Sequence, residues 1–406
     1  MKILLLSQWY PPEPMKLLSD MTESLVAMGH EVTVLTGFPN WPTGKIYHGY
    51  RQQLVYRETV NGVNIIRIPL FPDHSSNAIK RAANFLSFAL SATILGPFIV
   101  PRFDVIHMVH PPITVGLPAV LLSLLRRRPL TIEINDMWPE NLQATGMVSS
   151  KRLLNAIGSF ALWVYSHATF IRVVSPGFRR NLLDKVVPGK KIWVISNWVD
   201  TDYYYPARPE SELLDRFGMR GRFNILYAGT IGLAQGLDVA LDAAALLQDS
   251  LPDAQLVLAG DGVECERLAK EAASRKLTNI RFLGRLPGEM MCPLYACADV
   301  LMLHLRPDPL YSITVPHKVF TYMAAGKPIL VGGEGDSAAV VSKSGAGLAC
   351  EPGNPEALAR AVQMFHALSH QEREEMGKNG RKAACGSYSR TQLVGEIAEM
   401  LEATTR

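Results

Sequence analysis

A lysine beside a glycine is a pairing that handles phosphates, and the segment VPHKVFTYMAAGKPIL contains one at Gly326-Lys327. Its surroundings are wrong for a nucleoside-triphosphatase loop. Pro328 stands where Ser or Thr is needed, and Thr321 stands where such a loop needs glycine. The order is also reversed, since an apolar helix (Val319, Phe320, Met323, Ala324) breaks at Gly326 and leads into a strand. The residue that matters is Lys318, which follows Pro316-His317 at the head of that helix. A lone lysine on a helix is usually a solvated face. A cation at a helix start, however, opposes the dipole and costs free energy unless an anion joins it. Lys318 is therefore read as holding a phosphate.

Turns suited to phosphate recur upstream. YAGTIGLAQGLD sets Gly229, Gly232 and Gly236 between a strand and a helix, where free backbone N–H groups favour an anion. Any tight strand-to-helix turn also wants glycine, so the cluster alone is a weak sign. LAGDGVE places Asp261 and Glu264 where they can cap a helix or meet hydroxyls. RFLGR ends a third strand at Arg285. In the first half, DVIHMVHPP puts His107 and His110 at the carboxyl end of a strand. A single histidine there is more often a satisfied structural group. His110, in the loop before two prolines, is the better candidate of the two. EINDMWPEN carries Asp136 and Glu140, and either could take a proton as general base or cap the next helix.

The elements that position these residues are legible as an alternation of short apolar runs with helical patterns. In the first half the strand candidates are KILLLS, EVTVLT, VNIIRI, DVIHMV, PLTIEI, TFIRVV and KIWVIS. VDTDYYYPARPES is the best linker. FNILYAG, AQLVLAG, NIRFLG, DVLMLH, PILVGG and GLACEP follow, with helices between. This predicts two successive open α/β units with parallel sheets. A chain of 406 residues is long enough for two such cores. Ligands bind such sheets beyond the carboxyl ends of their strands. After the first strand, SQWYPPEP replaces the glycines that a dinucleotide fold would need, which excludes a NAD-type dehydrogenase.

Composition is globular, at 48% hydrophobic and 19% charged residues. MKILLLSQWYPP turns polar at Ser7 and Gln8, so no signal peptide is expected. The cysteines all lie after residue 260 without metal-site spacing, and buried free thiols in a reducing cytoplasm are expected. The net charge of +4 is unevenly spread, with 20 Lys/Arg against 12 Asp/Glu in residues 1–200. That half also holds FLSFALSATILGPFIV (85–100), flanked by Lys80, Arg81 and Arg102. It is short of the ~20 residues that span a bilayer. Taken alone it reads as a buried core helix. Arg126–Arg128 and Lys151-Arg152 nearby support the other reading, an interfacial segment at an anionic membrane.

Taken together, the stretches GHEVTVLTGFPNWPTGKIYHGYR, DMWPE, VVSPGF, VISNWVD, YAGTIGLAQGLD, LAGDGVE, FLGRLP and YMAAGKP resemble the family 4 glycosyltransferases. The likeness is closest to the bacterial O-antigen, capsule and exopolysaccharide subgroup, including N-acetylfucosamine-transferase-like enzymes, and covers roughly residues 1 to 390. It implies the α/β GT-B fold, two Rossmann-like parallel-sheet domains facing a central cleft. The expected boundaries are an acceptor-side domain at 1–200, a linker at 201–220, a nucleotide-sugar domain at 221–385 and a helix at 386–406 crossing back to the first domain. It also implies a retaining, metal-independent transfer needing no cofactor, with a nucleotide-sugar donor (UDP favoured) and a lipid-linked or polysaccharide acceptor. The setting would be the inner face of the cell membrane, with the chain cytoplasmic and peripherally bound to an anionic surface; no nucleic-acid partner is implied.

The family's pattern is broken at four places. Its two ribose-binding glutamates fall on Ile313 and Thr321, and its diphosphate-gripping Arg and Lys fall on Thr230 and Gln235. The donor site expected here therefore comprises Gly229, Thr230, Gln235, Gly236, Asp261, Glu264, Arg285, Arg306, Lys318 and Thr321. Lys318, Arg306 and the turn amides would supply charge, and the Thr321 hydroxyl would meet the ribose. His110, Asp136 and Glu140 are the catalytic candidates, although the leaving diphosphate can itself take the acceptor's proton. Two alternatives stay open: an isomerase like the GT-B UDP-N-acetylglucosamine 2-epimerases, against which DMWPE speaks, and a catalytically silent homologue.

Overall fold

The computed structural model describes residues 1–75 and 77–405, which form two compact units. Unit 1 comprises Met1–Ser196 together with the chain from Arg390 onward, and unit 2 comprises Asn197–Ser389.

Unit 1 is built on an eight-stranded sheet. Its strands are β1 (Lys2–Leu6), β2 (Glu31–Gly37), β3 (Tyr56–Val60), β4 (Val63–Ile68), β5 (Val105–His110), β6 (Leu130–Ile134), β7 (Phe170–Val173) and β8 (Ile192–Val194). The spatial order is β3-β4-β2-β1-β5-β6-β7-β8, parallel except for the antiparallel β3–β4 hairpin. Strands β1 and β5 lie at the centre and are buried almost throughout; β1 is apolar after Lys2, whereas β5 carries His107 and His110 among its apolar residues. The hairpin turns on Asn61-Gly62, both with positive φ, as a two-residue loop matching the strand twist requires. β3 has no counterpart among the strands expected from sequence. It is an edge strand, and YRETV stays polar because most of it faces water.

Three helices of unit 1 matter below: α1 (Lys16–Ala27), α2 (Ala78–Ile99) and α3 (Gly116–Arg126). Asn77 caps α2, its side chain accepting from the Ile79 and Lys80 amides. Helix α2 buries Asn84, Phe88, Ala89, Ala92 and Gly96 only, so the core-helix reading of 85–100 accounts for one face. The helix Arg390–Ala403 packs on α1, where Arg390 donates from Nε to Ser24 Oγ (2.8 Å) and from Nη1 to Asp20 (3.3 Å).

Unit 2 has six parallel strands: β9 (Phe223–Ala228), β10 (Ala254–Ala259), β11 (Ile280–Gly284), β12 (Val300–His304), β13 (Ile329–Gly332) and β14 (Gly347–Cys350). Their order is β11-β10-β9-β12-β13-β14. All six match the runs expected from sequence. In both sheets the chain steps one way from the first strand and later returns on its other side. That leaves a switch point between β1 and β5 in unit 1 and between β9 and β12 in unit 2. Beside the second, beyond the ends of β9 and β10, backbones touch: a Cβ on Gly260 would lie 1.8 Å from the Gly229 carbonyl oxygen, so only glycine fits. The five cysteines are free; Cys292 and Cys297 are buried, Cys385 is exposed. Among the described residues no group of three His, Cys, Asp or Glu could hold a metal.

Candidate functional site

The β9/β12 switch point is organised around Lys318. Its ammonium donates to the Tyr227 hydroxyl at 2.7 Å and lies 3.9 Å from that ring's centroid. It sits against the Gly229 turn, where a Cβ on the glycine would come within 2.7 Å of Nζ. Tyr227 in turn donates to the Thr230 carbonyl, and the Tyr322 hydroxyl joins both backbone groups of Ala228. Among the described residues no carboxylate lies within ion-pair reach of Lys318. Burial alone lowers its pKa to about 7. A cation is thus held at the ligand edge of the sheet with only a neutral phenol beside it. Arg306, at the end of β12, lines an adjoining cavity of about 400 Å³ with Asp308, Tyr311, Ser312 and Glu334. Its guanidinium faces the Tyr311 ring, and its amide bonds the Ala234 carbonyl of the glycine-rich loop (3.0 Å). His304 braces the same loop. Its Nε2 accepts from the Gly353 amide, which leaves the proton on Nδ1 to bond the Gln235 carbonyl at 2.6 Å.

Across β5, β6 and β7 of unit 1, charge is compensated instead. His107 contacts Glu133 through Nε2 (3.1 Å) and Thr131 through Nδ1 (2.9 Å), and Arg172 pairs with Glu133 at 2.7 Å. All are buried. Burial would raise the Glu133 carboxyl, but Arg172 and His107 outweigh it and hold it well below the usual carboxylate range. This is a structural network, in keeping with the bland reading of His107.

The loops beyond the same strands carry the less satisfied groups. His110 is fully buried with its ring edge against Trp138 (5.7 Å), and neither nitrogen meets hydrogen-bond geometry. Burial lowers its pKa to about 3, against the opposing effect of the Asp136 main chain. It is a neutral imidazole. Asp136 accepts from the Asn141 amide, and burial still lifts its pKa to about 6. Aromatic rings gather here: Trp9 lies 6.3 Å from Trp41 and 6.1 Å from Phe85, which lies 6.0 Å from Trp138. Glu13 ties their loops together, accepting from the amides of Tyr10, Asn40 and Trp41 at 2.8–3.0 Å. Burial raises its pKa to about 7 despite those donors.

Two family models match the chain. Residues 17–198 match a glycosyl transferase 4-like domain and residues 218–383 match the glycosyl transferases group 1. The chain belongs to the group 1 glycosyltransferases. Its relatives include the probable glycosyltransferase WbjE of Pseudomonas aeruginosa, 29% identical over 56% of this chain and 58% of that protein. The chain thus aligns with little more than half of that relative. A putative colanic acid biosynthesis glycosyl transferase, WcaI of Escherichia coli, is 25% identical over 80% and 82%. Among solved structures, HepE of Anabaena in complex with UDP superposes with a TM-score of 0.73 at 16% identity, over 99% and 100% of the two chains. Such an identity shows the fold alone, and the fold is GT-B.

Within this glycosyltransferase, several side chains expected at the site are engaged elsewhere. Thr321 is buried, and its hydroxyl donates to the Lys318 carbonyl of its own helix (3.1 Å). The Gln235 side chain folds back to accept from Gly232 N–H, which makes it a turn brace. Asp261 accepts from the adjacent Gly262 N–H within the turn and does not cap the helix Cys265–Ser274, whose N-cap position is Glu264. Glu264 pairs with Arg267 within a surface cluster that also holds Asp238 and Glu271. Glu140 pairs with Lys185 at 2.5 Å, which disfavours it as a base. Its other oxygen and the Tyr165 hydroxyl are buried without partners beside a cavity of about 400 Å³. Gly229, Gly236 and Arg306 stand around the switch point, Thr230 is exposed just past β9, and Arg285 is exposed beyond β11. Sequence reasoning missed Tyr227 and Glu13. A tyrosine closing an apolar strand reads as core. The signal for Glu13 was a lone acid among prolines.

Proposed function

We propose that the chain is a retaining glycosyltransferase that takes a sugar from a nucleotide-sugar, UDP-linked by preference, and adds it to a lipid-linked or polysaccharide acceptor. The observation that carries the donor half is the Lys318 ammonium, held beside the Gly229 turn at the switch point without a carboxylate. A nucleoside diphosphate brings the missing negative charge, and the turn amides supply further donors. HepE structures containing UDP and UDP-glucose support uridine as the base. WcaI, named for colanic acid biosynthesis, and WaaG, named for lipopolysaccharide biosynthesis, support a surface-glycan acceptor.

In this reading the bond from the sugar's anomeric carbon to the diphosphate oxygen breaks, and one to the acceptor oxygen forms on the same face. Lys318, with Arg306 nearby, stabilises the negative charge that grows on the leaving diphosphate. The acceptor's proton passes to that diphosphate or to Asp136, whose raised pKa suits a base near neutrality. His110, neutral and enclosed beneath Trp138, would act by positioning the Asp136 loop rather than by touching the sugar.

The test is a donor screen with membrane extract as acceptor, reading released nucleotide, beside calorimetric titration of UDP and GDP. Nucleotide release that depends on both UDP-sugar and extract is the expected result. Sugar conversion without acceptor would instead make the protein an isomerase, and failure to bind either nucleotide would make it a silent homologue.

A further inference from the structure

Helices α2 and α3 run side by side in the same direction. Thr114, at the entrance to α3, donates to the Phe85 carbonyl (3.4 Å); Leu122 lies 3.4 Å from where a Cβ on Gly96 would be; Arg126 donates to the Pro97 carbonyl (2.9 Å). Their inner faces are packed. Their outer faces expose Ile79 (81%), Leu86 (59%), Leu90 (58%), Ile94 (55%) and Phe98 (86%) on α2, with Leu117, Leu124 and Leu125 on α3. From Leu86 to Phe98 every fourth residue is large and apolar, a row about 18 Å long at the rise of an α-helix. Folded domains rarely leave such a row bare without a partner.

Charge identifies the partner. Between Asp73 and Glu133 the chain holds six basic residues and a single acid, Asp104, whose carboxylate accepts from the Lys2 amide at 2.7 Å. The cations bracket the row, with Lys80 and Arg81 at its start and Arg102 and Arg126–Arg128 toward its end. We infer that α2 and α3 form an interfacial docking face for an anionic lipid bilayer, lying in the membrane plane with the apolar row in the acyl boundary and the cations among the headgroups. A second copy of this chain would bring cations against cations, whereas anionic headgroups bring the opposite sign.

The helix is apolar and long enough to span a bilayer, yet its packed side speaks against spanning. Asn84 accepts from the Gln8 amide (2.6 Å) and donates to the Phe71 carbonyl (2.6 Å), and Phe88 and Ala92 are wholly enclosed. Extracting α2 would open unit 1. Phe85, next to the exposed Leu86, belongs to the ring cluster around Trp9 and Trp138. Docking would therefore bring that cluster to the headgroup layer. The inference stands on the helix surface and does not depend on which sugar is transferred.

Flotation of the full chain decides it, using vesicles of phosphatidylcholine alone and of phosphatidylcholine mixed with phosphatidylglycerol. The chain is expected to float with the mixed vesicles at low salt, not with the neutral ones, and to be released as salt screens the charges. The Leu90→Ser/Phe98→Ser double variant should lose at least tenfold in partitioning. Arg102→Gln and Arg128→Gln should each lose roughly fivefold, the equivalent of about 1 kcal/mol per charge. All should keep the parent melting temperature and UDP binding. Arg126 is left alone because it holds the Pro97 carbonyl. Parent protein that stays in solution with anionic vesicles, floats equally with neutral ones, or floats as well after the leucine and phenylalanine are replaced would overturn the proposal. So would a dimer that Phe98→Ser dissolves, since a second copy would then own the face.

Discussion

The two sheets share a doubly wound topology and treat buried charge in opposite ways. In unit 1 the buried ions complete one another: Glu133 meets Arg172 and His107, and Arg172 also donates to the carbonyls of Ile195 and Ser196. In unit 2 Lys318 is half-buried beside a phenol, with no acid at hand. A fold that closes its charges internally is using them as structure. One that leaves a cation open at the carboxyl edge of a parallel sheet has left room for an anion. The contrast separates scaffold from site more sharply than residue type does.

The largest effect should come from breaking the compensated network. Replacing Arg172 by Ala leaves Glu133 buried with only His107 and Asn135, and should cost about 3–5 kcal/mol in denaturant unfolding. A loss below 1 kcal/mol would remove the distinction drawn above. Lys318→Met is the mirror experiment. It should weaken UDP binding by about 1.5–3 kcal/mol, roughly ten- to hundredfold in calorimetry. Stability should hold or rise, since a half-buried cation without a counter-ion is removed. Destabilisation with unchanged affinity would place Lys318 among the scaffold ions.

Thr321→Glu sharpens the comparison by adding the acid that unit 2 lacks. The site is enclosed, so an unpaired carboxylate should lower stability by about 1–3 kcal/mol unless it turns to Lys318. A melting temperature equal to the parent, with tighter UDP binding, would show that the pocket still accepts the family's arrangement. A further test concerns pH. Lys318 titrates near 7 in the folded chain against 10.5 for an ordinary lysine, so the unfolded chain binds the extra proton between those values. Stability therefore rises with pH across that window, and the rise should vanish in Lys318→Met. UDP affinity should run the other way, falling by up to tenfold per unit as pH climbs above about 7. Lys318→Arg should flatten that slope. A slope equal in the two proteins would assign the dependence to another group.

Much of the fold was readable in the sequence because buried parallel strands must be apolar throughout, as ILLL in β1 and LVLA in β10 are. β3 escaped because an edge strand faces water and needs no apolar run. The glycine-rich turn after β9 was readable for a related reason: Gly229 takes a positive φ there, and Gly260 packs against its carbonyl where only backbone fits. Side-chain partners were not. Glu140 looks like a base until Lys185 is brought to it by the fold, and nothing in the sequence shows the Thr321 hydroxyl turning to its own helix. Helix α2 was half readable: composition gave its apolarity and its cationic flanks, but only packing separates a row facing inward from one facing out.

Unit 1 is discontinuous in the chain, and this bears on how the protein is made. The helix Arg390–Ala403 lies against α1, yet all of Asn197–Ser389 is translated between the two. On the ribosome, unit 2 can finish as one unbroken segment while the flank of α1 that carries Asp20 and Ser24 still waits for Arg390. A chain stalled anywhere in unit 2 is left with that flank uncovered, and with it an opening for aggregation or proteolysis. A circular permutant that moves residues 390–405 ahead of Met1 would let each unit close as it emerges. Faster acquisition of protease resistance during synthesis is the expected gain.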